Sequence, residues 1–448
     1  MATLTSAFGS AVQSVPPVPG WPLIGNLLKF RSDRLGLQED AAKVGPIARV
    51  QLAHIPIYVV TDAEMAHEVL VADAAKFKKS AGIRFLKPLL GEGLLTSEGD
   101  VHKRHRKLLA PAFAPKRLAA YGEVMVDETR RTLAGWRNGS RIDLADEMME
   151  MTLAIAGKTM FGADVRGDAE AVARGLEYGM RAQAAALRNP LVLTKILPRN
   201  KDIDRAVELL DSVVYRLIRE GRARGTDKGD VLSILLLARD EEDGTGLSDK
   251  QIRDEVMTLL LAGHETTANT LTWTWYELAR NPDVLAKLQR ELEPLGNRVL
   301  TVDDLTKLPY NLAVIEESMR MHPPAYATAR EALEPVTVGG HELPARSVVL
   351  VNIRGMHRRP DYFPVPDAFM PERMLPEAKK GRPRNTYLPF GAGPRVCIGS
   401  HFALLEAQLA LATMVQHTRL RLVKMEIEPE PLVTLRPLGG MPAVVELR

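Results

Sequence analysis

Phe390-Gly391-Ala392-Gly393-Pro394-Arg395-Val396-Cys397-Ile398-Gly399 contains the one cysteine in a chain of 448 residues. The stretch beyond it, from His401 to Ala407, reads as a helix, so Cys397 is expected just before a helix N-terminus. Free backbone N–H groups and the helix dipole favour negative charge there by roughly 0.3–1 kcal/mol. Arg395, two residues back, is expected to add a positive charge beside the thiol. Thiolate is the form in which cysteine ligates and attacks, and such surroundings favour it. Gly391, Gly393 and Gly399 allow tight turns and a close approach to something flat and large. A lone cysteine without this context would be read as a core thiol; with it, the reading is a ligand.

Lysine and arginine number 59 against 56 acidic residues, a balance unlike that of nucleic-acid-binding proteins. A hydrophobic content of 46% suits a folded chain with a substantial core. A single cysteine excludes intrachain disulfides and cysteine-rich zinc sites, which fits a reducing cytosol. The first residues show no basic stretch followed by an apolar one, and no apolar run reaches the ~20 residues of a membrane span. A soluble, cytoplasmic protein without a transmembrane anchor is expected.

Val15-Pro16-Pro17-Val18-Pro19-Gly20-Trp21-Pro22 reads as a stiff extended segment, so residues 1–22 form a proline-rich lead-in and 23–448 one domain. Ile47 to Leu52 alternates like a strand, with Ile57 to Val60 as its partner after a turn at His54-Ile55-Pro56. Thr61-Asp62-Ala63-Glu64 resembles a capping box. From Pro115 to Ala238 the pattern is helical, broken at Asn138-Gly139, Arg166-Gly167 and Pro198. Val336 to Asn352 returns to strands around a Gly339-Gly340 turn, and a last hairpin is expected at Leu438-Gly439-Gly440-Met441. The fold class is mainly α with a small β-rich region.

Ser248-Asp249-Lys250-Gln251 caps a helix whose pattern continues to Arg280, where Asn281-Pro282 stops it. Its length would be roughly 45–50 Å. Ala262-Gly263-His264-Glu265-Thr266-Thr267 falls in its most apolar part, where a carboxylate and two hydroxyls are costly unless partnered or functional. From these six residues alone, a kinked helix with threonines bonded back to carbonyls explains them equally well. A zinc-protease HExxH does not: its second histidine position is Ala268. Glu317 and Arg320 stand at i and i+3, neighbours on one helix face. Gly99 to Lys107 is a strongly basic run.

The spacing Phe-Gly-x-Gly-x-Arg-x-Cys-x-Gly at 390–399 is similar to the haem-binding loop of the cytochrome P-450 family, whose haem iron is held by a cysteine thiolate. Residues 262–267 resemble the oxygen-activating helix of that family, and Phe369-Met370-Pro371-Glu372-Arg373-Met374 resembles its Pro-Glu-Arg-Phe segment, with Met374 in place of phenylalanine. The resemblance extends over essentially the whole chain and implies the cytochrome P-450 fold and haem b as cofactor. It assigns Cys397 as axial ligand, Phe390 to the loop that covers the haem, and His102, Arg106, Arg330 and Arg395 to its propionates. It gives Glu265 and Thr266 the relay of protons, with the carboxylate exchanging them with solvent. Glu317, Arg320 and Arg373 would form a buried triad that locks the cysteine loop. Candidate pocket residues are Phe85, Leu86, Leu89, Leu261, Ala262, Ala325, Tyr326, Leu438 and Met441.

The activity implied is that of a haem-thiolate monooxygenase, inserting one atom of O2 into an apolar fatty acid, terpenoid, steroid or macrolide-like substrate. With no flavin or iron–sulfur module in evidence, NAD(P)H electrons would arrive through a ferredoxin or flavodoxin and its reductase. Lys103, Arg104, Lys107, Lys116 and Arg117, with Lys379, Lys380, Arg382 and Arg384, are the candidate docking cations, and a monomer is expected. A peroxide-using or substrate-rearranging enzyme is the alternative, which the Glu265-Thr266 pair argues against. A non-catalytic haem sensor would lack a second domain to read its signal.

Overall fold

The longest helix of the described residues opens where Ser248 and Gln251 cap each other. The serine hydroxyl accepts the Gln251 N–H at 3.3 Å, and the glutamine side chain accepts the Ser248 N–H at 2.9 Å. From there Asp249–Arg280, the long helix, runs for 32 residues, and Pro282 both ends it and begins Pro282–Leu292. The structure, a computed structural model, describes residues 14–188, 200–226, 228–239 and 245–448. The break expected at Pro198 and the first thirteen residues of the lead-in lie outside them.

From Ile252 to Leu278 every residue of the long helix is buried except Ala262, Gly263 and Thr266. Leu144–Phe161, Lys201–Arg224, Pro309–Met321 and Ser400–His417 all pack on it. Trp273, Trp275, Phe161 and Met148 are among the fully buried side chains of this principal core. Each such burial contributes on the order of 1.5–3 kcal/mol before ordering entropy is set against it.

Twelve strands border this body among the described residues. β1 (Ile47–Leu52), β2 (Ile55–Val60), β3 (Phe77–Lys79), β5 (Thr328–Ala332) and β8 (Val348–Val351) form one sheet in the order β1-β2-β8-β5-β3. β4 (Arg141–Asp143), β12 (Pro442–Leu447) and β9 (Thr418–Leu422) form another in that order. β6 (Val336–Val338) pairs with β7 (His341–Leu343), and β10 (Pro429–Pro431) with β11 (Leu435–Pro437). The lead-in lies on the body rather than apart from it: Arg49 N–H donates to Pro16 O and Val18 N–H to Arg49 O, both at 2.8 Å.

Local readings are corrected in three places. β2 starts at Ile55, so the hairpin turns at Ala53-His54, with Ala53 at φ 52°. Asp62, not Thr61, caps Ala63–His67, because its carboxylate accepts the Glu64 and Met65 N–H groups, while the Thr61 hydroxyl is used by Gly45 O. The Leu438–Met441 turn joins no hairpin. It carries the chain from β11, paired with β10, into β12, paired with β4 and β9. No helix of the described residues is long and apolar enough to cross a membrane.

Candidate functional site

Cys397 lies two residues before Gly399, the N-cap of Ser400–His417, the post-cysteine helix. Its loop is folded back on itself by Cys397 N–H donating to Phe390 O at 2.9 Å and Val396 N–H to Gly393 O at 3.0 Å. Gly391 and Gly393 have φ of 70° and 69°, and a Cβ on Gly393 would lie 1.9 Å from Leu70 O, so only glycine fits there. The thiol is accessible yet closely surrounded by protein. Burial raises its pKa, and the Gly399 N–H and the charge of Arg106 offset only part of that rise. The cation expected beside it is thus misassigned. Arg395 turns away to Glu98 and to Ser97 O, the latter at 2.8 Å, whereas Arg106 reaches the loop by donating to Val396 O at 2.8 Å.

His102 and Arg106 lie one turn apart on Gly99–Leu109, with His102 buried. Arg330 on β5 is buried as well, and sheet register sets it directly opposite Lys79 on β3. Lys79 is a residue the sequence reading missed; its ammonium donates to Leu95 O and its backbone N–H to Glu98. The set is crowded with positive charge. Burial, then Arg395 and Arg330, bring Lys79 down to about 7, although Glu98 opposes this. Burial, then Arg395, Lys79 and Arg106, bring His102 down to about 4. Burial, then Arg395, bring Arg330 down to about 10. Like charges facing each other in a sheet are destabilising, so this group calls for anions. The donor set fits haem: one thiolate for the iron, and cations around Glu98 for two propionates.

The long helix adds the second wall. Ala262, Gly263 and Thr266 are spaced as one face, and they are the open residues of an otherwise buried stretch. The Thr266 hydroxyl donates back to Ala262 O at 2.9 Å, the arrangement a back-bonded helix predicts. Glu265 does not meet solvent as expected. It is buried, and its Oε1 accepts from the Thr434 hydroxyl at 2.6 Å. Burial raises its pKa, while Thr434 and Arg436 lower it. The post-cysteine helix contributes another buried acid, Glu406. Burial pushes it well above the usual carboxylate range despite the Thr267 hydroxyl beside it. A polar residue inside so apolar a helix was the signal that could have found it.

Glu317 and Arg320 are fully buried and joined by two bonds, Nε–Oε2 at 2.8 Å and Nη2–Oε1 at 2.9 Å. Arg373 Nε completes the triad 3.1 Å from Glu317 Oε1. The link to the cysteine loop runs through His357: Arg320 Nη1 donates to His357 O at 2.9 Å, and His357 Nε2 accepts Leu388 N–H at 2.8 Å. Leu388 is two residues before Phe390, which itself packs on the main core.

Among the pocket candidates, Leu86 and Leu89 pack on the main core, Phe85 is half-buried, and Leu261 is buried beside exposed Ala262. Ala325 is exposed, and the Tyr326 hydroxyl donates to Leu432 O at 3.0 Å. Leu438 and Met441 do not join this group. Leu438 is half-exposed on the turn, and Met441 is sealed in the core with its N–H on Asp143. The segment that meets the long helix is instead the β10–β11 tip, through Thr434. The docking cations are also redistributed. Lys103 pairs with Asp100, Lys379 with Glu316 and Lys380 with Glu377. Arg382, half-buried, turns inward over the Phe363 ring at 4.8 Å.

The sequence model of the family described as cytochrome P-450 matches residues 15–441. The chain is 37% identical to cyclooctatin synthase of Streptomyces melanosporofaciens over 94% of each chain. It is 34% identical to cyclooctat-9-en-7-ol 5-monooxygenase of the same organism, over 98% of each. Leukotriene-B4 omega-hydroxylase 3 of Mus musculus is 32% identical over 95% of this chain and 88% of its own. Among solved structures, the cytochrome P450DA heme domain superposes with a TM-score of 0.87 at 27% identity, covering 98% of this chain and 99% of that one.

Proposed function

The chain belongs to the cytochrome P-450 family and is a haem-thiolate monooxygenase, and from that premise we propose that its substrate is an apolar, ring-containing terpenoid-like hydrocarbon or alcohol. Carrying this reading is its similarity along nearly the whole length to two Streptomyces proteins, one named for cyclooctatin and one for oxidation of cyclooctat-9-en-7-ol. The candidate wall residues Leu86, Leu89, Leu261, Ala262 and Ala325 offer such a molecule apolar contact and no charge. The omega-hydroxylase relative favours a second reading, a long-chain fatty acid. Titrating the haem-loaded enzyme with cyclic terpenoid alcohols and with long-chain fatty acids tests both. The haem spectral shift should saturate with the cyclic alcohols, and saturation by fatty acids alone would overturn the first reading.

Haem, held through Cys397, would supply the oxygen-activating chemistry, with O2 as co-substrate. The residues of the chain do the rest. Lys79, His102, Arg106, Arg330 and Arg395 would hold the propionate edge. Gly393 and Phe390 keep the loop close, and the Glu317–Arg320–His357 chain keeps it fixed. Burial favours the protonated form of the Glu265 carboxyl, so that it can take up and pass on a proton, and the Thr266 hydroxyl, once it leaves Ala262 O, can donate one without carrying charge into an apolar space. Electrons come, in this proposal, from a ferredoxin or flavodoxin with its NAD(P)H-dependent reductase. Lys103 and its basic neighbours would receive the donor on a monomeric enzyme.

A further inference from the structure

Glu265 is held by a residue 169 positions away in sequence. Its Oε1 lies 2.6 Å from the Thr434 hydroxyl, and both residues are buried. Asn269, one helical turn beyond Glu265, donates its Nδ2–H to the same hydroxyl oxygen at 3.1 Å. A threonine hydroxyl has one proton to give. With Asn269 donating into its oxygen, that proton is committed to Glu265. We infer that Thr434 is a positioning residue for proton delivery, a fixed donor that sets the direction in which the Glu265 carboxyl points. This rests on the reading of Glu265 as the proton-handling acid.

The tip that carries Thr434 is itself anchored. Trp273 Nε1 donates to Leu435 O, Leu435 N–H to Pro324 O, and the Tyr326 hydroxyl to Leu432 O, each at 3.0 Å. A glutamate left to itself spreads over several rotamers, and one well-placed bond in a low-dielectric interior selects among them. A donor mounted on so fixed a hairpin is preorganised in the sense that functional sites require. The other titratable groups nearby do not substitute for it. Arg436 on β11 acts on Glu265 through its charge. His264 is kept neutral by burial and bonded to Leu260 O. Glu406, from the post-cysteine helix, lies beside Thr267.

The test compares haem-loaded wild type with Thr434→Val, Thr434→Ser and Glu265→Gln. Product formed per NADPH oxidised should fall roughly two- to tenfold in Thr434→Val, the worth of one hydrogen bond. The pH profile of turnover should move to higher pH, because the bond removed favours the ionised carboxyl. The infrared carboxyl band that Glu265→Gln abolishes should shift in Thr434→Val, a readout independent of turnover. Thr434→Ser, which keeps the donor, should restore all three. Wild-type coupling, pH profile and band in Thr434→Val would overturn the assignment, as would a serine variant indistinguishable from the valine one. Should Glu265→Gln itself leave turnover unchanged, the proton-handling reading falls and this role with it. A slow Glu265→Gln beside an unaffected Thr434→Val brings down the role of Thr434 alone.

Discussion

Lys79 and Arg330 face each other directly across the β3–β5 ladder, two buried cations in one cross-strand pair. Sheets avoid this arrangement unless an anion lies between or beside the partners. Glu98 supplies one such anion, and the propionates of the cofactor are proposed as the others.

That pair makes the haem-free chain pH-sensitive. Lys79 stands at about 7 in the fold against an ordinary 10.5. Between those values the folded chain binds fewer protons than the unfolded one, so stability should rise with pH across the window and level off at its low end below about 7. Haem propionates would favour the charged lysine and flatten the slope. Denaturant midpoints from pH 7 to 10, for haem-free wild type and Lys79→Met, check this. Equal slopes in the two proteins would exclude Lys79 as the source.

Replacing Cys397 by histidine should remove the red-shifted Soret band that a thiolate-ligated ferrous haem gives with carbon monoxide. Haem content measured on the same sample separates lost ligation from lost haem. An unchanged band at full haem content would refute the axial assignment.

Thr266→Val keeps volume and β-branching and removes the donor now bonded to Ala262 O. Haem binding should persist. Product per NADPH should drop several-fold, with hydrogen peroxide making up the difference, because a positioned proton donor contributes roughly 10²–10⁴-fold to the rate of the step it serves. Full coupling in this variant would leave the back-bonded helix as the whole explanation of Thr266.

Glu317→Gln leaves Arg320 charged, fully buried and without its carboxylate. Breaking a buried pair in this way costs about 3–5 kcal/mol. Through His357 and Leu388 the loss should also loosen the cysteine loop and speed haem release. Chemical denaturation and the rate of haem transfer to an acceptor protein measure the two effects. A loss below about 1 kcal/mol would make the triad an ordinary ion pair.

What the sequence determined is what short-range chemistry determines. The cysteine loop, its glycines and the helix beyond it lie within one local stretch, and so do the Ser248–Gln251 cap, the Ala262–Thr267 face and the Glu317–Arg320 pair. Caps, turns and i, i+3 neighbours follow from helix geometry alone. The resemblance of these pieces carried the family, and with it the expectation that Cys397 is the ligand. Tertiary structure decided everything that depends on which distant segments meet. Strand register placed Lys79 against Arg330, and the turn at Leu438–Met441 proved a passage between sheets. Packing brought His357 under Leu388 and Thr434 onto Glu265. It also carried Arg395 away from the thiol and brought Arg106 to its loop. No periodicity encodes such contacts, because a side chain's charge and reach say what it can bond and only the packed backbone says what stands within a hydrogen bond of it.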